Sequence, residues 1–255
     1  MLKRRVIPIL LWADHGLVKG RNFDHSRRVG SAVSAINVYA SRDVDELLLL
    51  DVRATRSGEH PKFSELKFLA RECSFPLGIG GGVKTIYDVS ELLRIGADKV
   101  VINSAAYDNK SLVETASREF GSQSIVISVD YRILDGKATC FSHCGRKSQS
   151  VSVLDWVREI EQLGAGEIVV CNCDRDGEMI GFDLETIAEI TQAVSIPVVA
   201  SGGAGKNQDF VDAIAIAGAD AVAAGSVFHF TEITPFSVKE ALSENGIPVR
   251  GRVKR

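Results

Sequence analysis

Short runs of β-branched and aliphatic residues alternate along this chain with longer segments whose apolar positions recur every three to four residues. The short runs are predicted to be strands, at 6–11, 46–52, 76–79, 99–102, 124–130, 167–171, 197–200 and 221–224. The longer segments are predicted to be amphipathic helices, for example at 85–95, 111–119, 152–163 and 184–193. Strands that alternate with helices in this way indicate an α/β protein built on a parallel sheet.

The second half of the chain repeats the first. The segment PLGIGGG at 76–82 is matched by PVVASGG at 197–203, which is 121 residues later. The segment GAD at 96–98 recurs at 218–220, which is 122 residues later. Four strand–helix units followed by four more are expected from duplication of half a barrel, whereas a doubly wound open sheet has no reason to repeat. We therefore predict a (βα)8 TIM barrel.

Length and composition fit one barrel and narrow the function classes. The 255 residues contain no linker or break in composition, so we predict a single domain at 1–255, with half-barrels at about 1–120 and 121–245. A net charge of −3 gives no reason to expect binding to nucleic acid or to a membrane surface. No apolar run approaches the ~20 residues of a membrane helix, and the N-terminus has no signal-peptide pattern. We expect a cytoplasmic protein.

The cysteines favour thiols over disulfides or a metal site. Their number, five, is odd, which argues against a disulfide framework. Cys171 and Cys173 lie two apart in an apolar run and therefore face the same side of a strand. A metal site there would need further ligands, and the sequence offers no matching His or Cys pair. We predict buried or pore-facing thiols, and neither a metal nor a cofactor.

Glycine clusters follow the third and seventh predicted strands. The first is at 80–82, and the second is at 202–203, directly after Ser201. Loops after the strands form the active face of this fold, and glycine lets backbone amides approach a phosphate. Each cluster alone could equally be a tight turn. Asn103-Ser104 and Gly225-Ser226 end the next strands, however, which makes the arrangement symmetric. We predict two phosphate sites, and therefore an elongated ligand with a phosphate at each end.

Other polar residues are expected near the same mouth. Asp51 and Asp130 end strands two and five, where carboxylates can act as general acid and base. Aligning strand one with strand five places Leu11 opposite Asp130, so half of the expected symmetric pair of acids is absent. Lys19 lies in a long loop after strand one and could contact phosphate or simply be solvated. DRDG at 174–177 could be a turn or a ligand-binding loop.

Four charged residues begin strands one, two, four and six: Arg5, Glu46, Lys99 and Glu167. They are expected at the barrel floor, opposite the mouth. One interpretation is that these two basic and two acidic side chains serve only to stabilise the floor. Their position alone favours this interpretation. Alternatively, they could form a salt-bridged ring around the axis that gates a small molecule.

Several motifs together resemble the cyclase subunit of imidazole glycerol phosphate synthase, the HisF family of histidine biosynthesis, over nearly the whole chain. The motifs are KRRVIP at 3–8, VKG at 18–20, GGG at 80–82, GADKV at 96–100, FGSQ at 120–123, DRDG at 174–177, SIP at 195–197, ASGGAGK at 200–206 and SVFHF at 226–230. The related isomerase of the same pathway shares the half-barrel plan but fewer of these motifs.

The resemblance implies a partner and a set of roles. In the family a glutaminase subunit (HisH) docks on the floor, and its ammonia passes through the barrel. Arg5, Glu46, Lys99 and Glu167 match the gate, Asp98 matches a docking position, and Asp130 matches one of two catalytic aspartates. The resemblance thus reverses the preference for a purely structural floor. The residues expected to hold a phosphorylated small molecule are Lys19, Asp51, Gly82, Asn103, Ser104, Cys171, Asp176, Gly177, Ser201, Gly203, Gly225 and Ser226.

The chain departs from the family at the end of strand one. The family reads Cys-Leu-Asp-Val where this chain has Ile9-Leu10-Leu11-Trp12, while Asp14 and Lys19 stay in register. Cys171 also stands where the family has a small hydroxyl residue. Loss of one of two acid–base groups commonly costs on the order of 10²–10⁴ in rate.

Three functions follow as hypotheses, and the sequence favours the first. It is a divergent paralogue that channels ammonia to another acceptor, for amidination of a bacterial surface-polysaccharide sugar, with a sugar amidotransferase as a further partner. The second is a working cyclase that makes imidazole glycerol phosphate and an aminoimidazole carboxamide ribotide, with Asp130 as its main acid–base group. The third is a non-catalytic scaffold that activates a glutaminase.

Overall fold

The structure, a computed structural model, describes residues 3–14, 16–42 and 44–251. The strands in these ranges are β1 (Arg5–Ala13), β2 (Gly16–Arg21), β3 (Asp24–Gly30), β4 (Leu47–Asp51), β5 (Leu77–Gly80), β6 (Lys99–Ile102), β7 (Ile125–Leu134), β8 (Lys137–Ser142), β9 (Lys147–Ser152), β10 (Glu167–Asn172), β11 (Val198–Ser201) and β12 (Ala221–Ala224). The helices are α1 (Ala32–Ser41), α2 (Val52–Ser57), α3 (Phe63–Glu72), α4 (Ile86–Arg94), α5 (Ser104–Asp108), α6 (Lys110–Phe120), α7 (Val153–Gln162), α8 (Leu184–Ala193), α9 (Asn207–Ala215), α10 (Ser226–Phe230) and α11 (Pro235–Glu244).

Eight parallel strands close into a barrel, and the predicted (βα)8 fold is confirmed. Their order is β1, β4, β5, β6, β7, β10, β11 and β12, and β12 pairs back with β1. Each of the eight predicted strands overlaps one of these. Helices cover the outside of the barrel, and most of the apolar core lies between them and the strands.

Two β-hairpins, β2–β3 and β8–β9, extend the barrel at its mouth, and neither was predicted from the sequence. β1 continues beyond Leu11 and pairs antiparallel with β2, which in turn pairs with β3. β7 continues beyond Asp130 and pairs with β8, which pairs with β9. The β7–β8 turn is Asp135-Gly136, and both residues have positive φ, as a two-residue hairpin turn requires. The hairpins follow the first and fifth barrel strands, which are equivalent positions in the repeat.

The interior of the barrel has a charged floor, an apolar middle and a mouth, because side chains alternate along each strand. On β1, Arg5 lies at the floor, Ile7 and Ile9 lie in the middle, and Leu11 lies near the mouth. The middle layers form an apolar cluster separate from the outer core. Its buried members are Ile7, Ile9, Leu48, Val101, Val126, Val169, Val199, Ala221 and Ala223. Charged residues are therefore confined to the two ends of the axis.

No helix within the described parts of the chain combines the length and the apolar character that crossing a membrane requires.

A buried ion pair ties the last helix to the barrel floor. Lys239 of α11 donates to Asp45 Oδ1 at 2.7 Å, and the backbone N–H of Val6 donates to Asp45 Oδ2 at 3.0 Å. Both charged side chains are less than a tenth exposed. Removal of one partner leaves the other charge buried, so the pair matters more than a surface pair.

We expect Lys239→Met to lower the free energy of unfolding by about 3 kcal/mol, because the Asp45 carboxylate loses its cation in a buried site. Lys110→Met is the matched control, since Lys110 pairs with Glu159 at the exposed surface and should contribute less than about 1 kcal/mol. Urea denaturation of both variants measures the difference. Equal losses would show that the Lys239–Asp45 pair has no special weight.

Candidate active site at the barrel mouth

One cavity opens at the C-terminal ends of the barrel strands. It brings together all the mouth residues predicted from the sequence, namely Leu11, Lys19, Asp51, Gly82, Asn103, Ser104, Asp130, Cys171, Asp176, Gly177, Ser201, Gly203, Gly225 and Ser226. These residues come from loops or strand ends around the whole barrel, so their convergence is a consequence of closure. The roles assigned to them stay predictions.

Two glycine loops face each other across the cavity, after β5 and after β11. Gly82 and Gly203 have φ values of 72° and 114°, which L side chains rarely adopt. A Cβ on Gly203 would lie 2.3 Å from the carbonyl oxygen of Gly181, so no side chain fits there. Asn103-Ser104 and Gly225-Ser226 follow the neighbouring strands β6 and β12. Each end of the cavity thus has a glycine loop beside the start of a short helix.

A buried carboxylate fixes each glycine loop from behind. Asp88 of α4 accepts hydrogen bonds from the backbone N–H groups of Lys84 and Thr85 at 3.0 and 2.9 Å. Asp209 of α9 does the same for Gly205 and Lys206 at 2.8 and 3.0 Å. These bonds hold the loops in one conformation before any ligand arrives. Because the loops are already ordered, binding loses less conformational entropy.

Asp130 is the buried acid of the cavity. Its carboxylate accepts a hydrogen bond from Asn103 Nδ2 at 2.9 Å and one from Ser128 Oγ at 3.1 Å. Burial raises the pKa of Asp130 to about 7, and the nearby Asp176 raises it too, although the hydrogen bonds from Ser128 and Asn103 oppose the shift. A carboxyl group with this pKa can exchange a proton near neutral pH.

The opposite wall of the cavity is apolar. Leu11 lies on β1, across the barrel from β7, and packs with Leu50 against the interior apolar cluster. Leu11 itself offers no group that could transfer a proton. Asp14, the next acid along the chain, does not line the cavity and forms an ion pair with Arg53 at 3.0 Å. The mouth therefore has Asp130 on the β7 side and aliphatic side chains at Leu11 and Leu50, with Asp51 next to them at the end of β4.

Asp51 lines the cavity but is also engaged in a helix cap. Its Oδ1 atom accepts the backbone N–H groups of Arg53 and Ala54, both at 2.9 Å, at the start of α2. Burial raises its pKa, while these two hydrogen bonds oppose the shift. The cap gives Asp51 a structural task at the end of β4, and the predicted catalytic pairing with Asp130 stays a prediction.

Lys19 lies on β2, not in a solvated loop as one of the two alternatives had it, and is only 2% exposed. Its Nζ atom donates to the carbonyl oxygen of Ile9 at 2.8 Å. Burial lowers its pKa to about 8, and Asp176 opposes the shift. Burial likewise raises the pKa of Asp176 to about 6, against the attraction of Lys19. Lys19 and Asp176 therefore attract each other in the mouth, where both are buried.

The tips of the two hairpins meet above the cavity. Phe23 and Cys144 both line the cavity, and a Cβ on Gly145 would lie 3.4 Å from Phe23 Cδ1. The DRDG loop supports the first hairpin, because the N–H of Asn22 donates to the carbonyl of Asp176 at 2.8 Å. Phe23 and Cys144 were not predicted from the sequence as cavity residues. The Asp135-Gly136 turn was the signal that could have revealed the second hairpin.

The barrel floor carries a closed ring of charge. Arg5 bonds Glu46 at 2.5 Å and also bonds Glu167. Lys99 Nζ lies 2.9 Å from Glu46 and 2.6 Å from Glu167. Burial acts to raise the pKa of Glu167, but the two cations together hold it below its ordinary value. The four predicted floor residues therefore contact each other around the axis.

The two floor aspartates of the repeat differ in their partners. Asp98 and Asp220 each accept the backbone N–H of a neighbouring strand, from Leu77 at 2.8 Å and from Val198 at 3.1 Å. Arg4 also bonds the second oxygen of Asp220. The second oxygen of Asp98 has no partner within the described residues, and Asp98 is exposed.

Wild-type protein should lose stability relative to Asp130→Asn as pH rises from 5 to 8. The folded-state pKa of Asp130, about 7, exceeds the ordinary value of 3.8 for an aspartate, so the stabilising protonated form is lost as pH rises through 7. The relative loss should be about 3 kcal/mol, at about 1.4 kcal/mol per pKa unit. Urea denaturation at both pH values measures it. Asp135→Asn removes the same charge from an exposed turn and is the control; a pH-independent difference would contradict the expectation.

Known proteins resemble the chain along its full length. A family model described as "Histidine biosynthesis protein" matches residues 5–234. Proteins named imidazole glycerol phosphate synthase subunit HisF are similar: that of Alkaliphilus metalliredigens is 40% identical over 251 residues, covering 98% of this chain and 100% of its own. That of Staphylococcus carnosus is 42% identical over 252 residues, covering 98% and 99%. The chain therefore belongs to the histidine biosynthesis protein family and is a HisF-like barrel.

Proposed function

We propose that this chain is the barrel subunit of a glutamine-dependent imidazole glycerol phosphate synthase. A HisH-type glutaminase docks on the floor, and its ammonia moves along the axis to a bisphosphate ligand in the mouth. The products are imidazole glycerol phosphate and an aminoimidazole carboxamide ribotide. The names of the relatives support this assignment, and so does the observation that carries it, which is the succession of charged floor, apolar interior and two-ended cavity along one axis.

The floor supports a docking partner. Asp98 presents a free carboxylate oxygen at the exposed floor, while its counterpart Asp220 is bonded by Arg4. A basic side chain of the glutaminase is the partner that such an oxygen fits. Within the barrel, ammonia is small and neutral, so apolar layers lined partly by Ala221 and Ala223 present no strong site that would retain it.

The mouth supports the bisphosphate. The two glycine loops lie on opposite sides of the cavity, and Lys19 adds a buried cation beside Gly225. Asp130 between them can move a proton near neutral pH. In this proposal Gly82, Asn103 and Ser104 bind one phosphate, and the second phosphate is bound by Gly203, Gly225 and Ser226.

A second candidate function is favoured by one observation, the aliphatic wall at Leu11. If cyclisation needs an acid on that wall, the acceptor of ammonia has changed. The candidate is then amidination of a bacterial surface-polysaccharide sugar, with a sugar amidotransferase as a further partner. Both candidates share the barrel, the floor and the ammonia route, and they differ in the ligand.

Turnover of the histidine-pathway bisphosphate with ammonium salts separates the two candidates. For a synthase we expect measurable turnover by the wild type and a change in kcat of less than about threefold in Leu11→Asp, because other groups already move the protons. Leu11→Asn is the control for a polar side chain without an acid. A gain of about 10² or more in Leu11→Asp alone, or absence of turnover in both proteins, would instead favour the sugar acceptor.

Asp98→Asn should lower turnover with glutamine more than turnover with ammonium when a HisH-type glutaminase from the same organism is present. The amide can still accept the N–H of Leu77 but lacks the charge that a basic partner would bind. A loss of about tenfold in the glutamine-dependent rate is expected. Asp220→Asn is the matched control, since Arg4 already occupies that carboxylate. Equal effects of the two variants would argue against docking through Asp98.

A further inference from the structure

The aliphatic wall leaves a gap in the chemistry of the mouth. Asp130 lies on the β7 side of the cavity, Asp176 follows β10, and Asp51, on the strand beside Leu11, already accepts two backbone N–H groups at the start of α2. A ring closure with release of a leaving group moves protons at two places, and the Asp130 carboxylate on one side of the cavity reaches only one of them. The other place requires an ionisable group near Leu11.

Apart from Asp51, Lys19 is the ionisable side chain of the cavity lining that strand pairing and a hydrogen bond tie to β1. β2 pairs with β1 so that Leu11 lies opposite Val18, the residue before Lys19. Lys19 Nζ then reaches the carbonyl oxygen of Ile9 at 2.8 Å, two residues before Leu11 on the same strand. The ammonium group therefore lies at the end of β1, across the barrel from Asp130 on β7.

The residues around Lys19 leave space for its ammonium group. A Cβ on Gly225 would lie 2.1 Å from Nζ, so the glycine of β12 leaves the space that the ammonium group fills. Asp176 attracts the ammonium group, but within the described residues no carboxylate lies within ion-pair distance of Nζ, which donates to the neutral carbonyl of Ile9. A buried cation without a close counter-ion is costly, and an anionic ligand lowers that cost.

We propose that Lys19 is the second proton-transfer residue of the mouth and takes the place of the acid that Leu11 has lost. This inference rests on the proposed synthase function. The Lys19 ammonium gives a proton from Nζ to a ligand atom on the Leu11 side, while the Asp130 carboxylate takes one from the ammonia nitrogen. No other bond to either side chain forms or breaks, and both return to their starting forms by proton exchange with water.

Three charged or titratable groups lie on the elements packed around Lys19. They are Asp176 from the loop after β10, His229 from α10, and Arg27 opposite Lys19 on β3. Asp176 stabilises the ammonium form, whereas burial destabilises it and brings the pKa to about 8. A lysine of this kind can serve as a proton donor at neutral pH and loses that ability as pH rises through about 8.

The experiment compares Lys19→Arg and Lys19→Met in the wild type and in Leu11→Asp, with the histidine-pathway bisphosphate and ammonium as substrates. Lys19→Arg keeps a cation that cannot lose its proton near neutral pH, and Lys19→Met removes the charge at similar length. If Lys19 only binds phosphate, Lys19→Arg should act on KM and its effect should be the same in both backgrounds.

For proton transfer we expect Lys19→Arg to lower kcat by about 10² or more in the wild type and by less than about tenfold in Leu11→Asp, where the new carboxylate takes over. The fall of kcat above about pH 8 should disappear in the variant. Lys19→Met gives the same background comparison if arginine does not fit beside Gly225. Lys84→Arg is the control, since Lys84 also donates to a backbone carbonyl, that of Gly58, but is exposed and lies outside the cavity.

Equal losses in the two backgrounds, or an effect on KM alone, would overturn the role of Lys19 and leave the synthase function intact. Absence of turnover in both the wild type and Leu11→Asp would overturn the synthase function itself, and with it this role. The two failures are therefore distinguishable in one set of measurements.

Discussion

The structure depends on the alternation of side chains, with a period of two residues, along strands that close into a barrel. In a closed sheet one face is the interior, so every second residue of each strand lies on the axis. On β1 this rule places Arg5 at the floor and Leu11 at the mouth, with Ile7 and Ile9 between them. If a strand shifted by one residue in register, its interior side chains would turn to the outer core and its outer side chains would turn to the axis. The charged floor residues would then be buried among the apolar side chains under the helices. Closure therefore fixes where charge can be.

The sequence was sufficient for the barrel and for the composition of its mouth. Strand runs, the repeat and strand-end polar residues are local signals, and each survives in the structure with shifts of a residue or two. The hairpins were missed because β2 and β3 are polar and carry charges such as Lys19 and Arg27, so their pattern is that of a loop. Their pairing is decided by the extension of β1 and β7 beyond the barrel, which is a tertiary effect.

What lay beyond prediction is the electrostatic state of the site. That Asp176 raises the pKa of the buried Asp130, and that Lys19 lies against Gly225, depends on interactions between residues more than 40 positions apart. The repeat also hid a difference between its halves. Asp98 and Asp220 match in sequence, yet Arg4, whose position in the second half is occupied by Gln123, bonds only Asp220. Duplicated halves thus acquire separate tasks through neighbouring residues that differ between them.

The two hairpin tips contribute to the mouth without belonging to the barrel. Phe23, between β2 and β3, and Cys144, between β8 and β9, line the cavity, and none of these four strands is among the eight that close. The tips approach each other closely, since a Cβ on Gly145 would lie 3.4 Å from Phe23 Cδ1. The length and side chains of these hairpins can therefore change while the barrel keeps its register. The mouth can thus be refitted to a different ligand independently of the floor and the apolar interior.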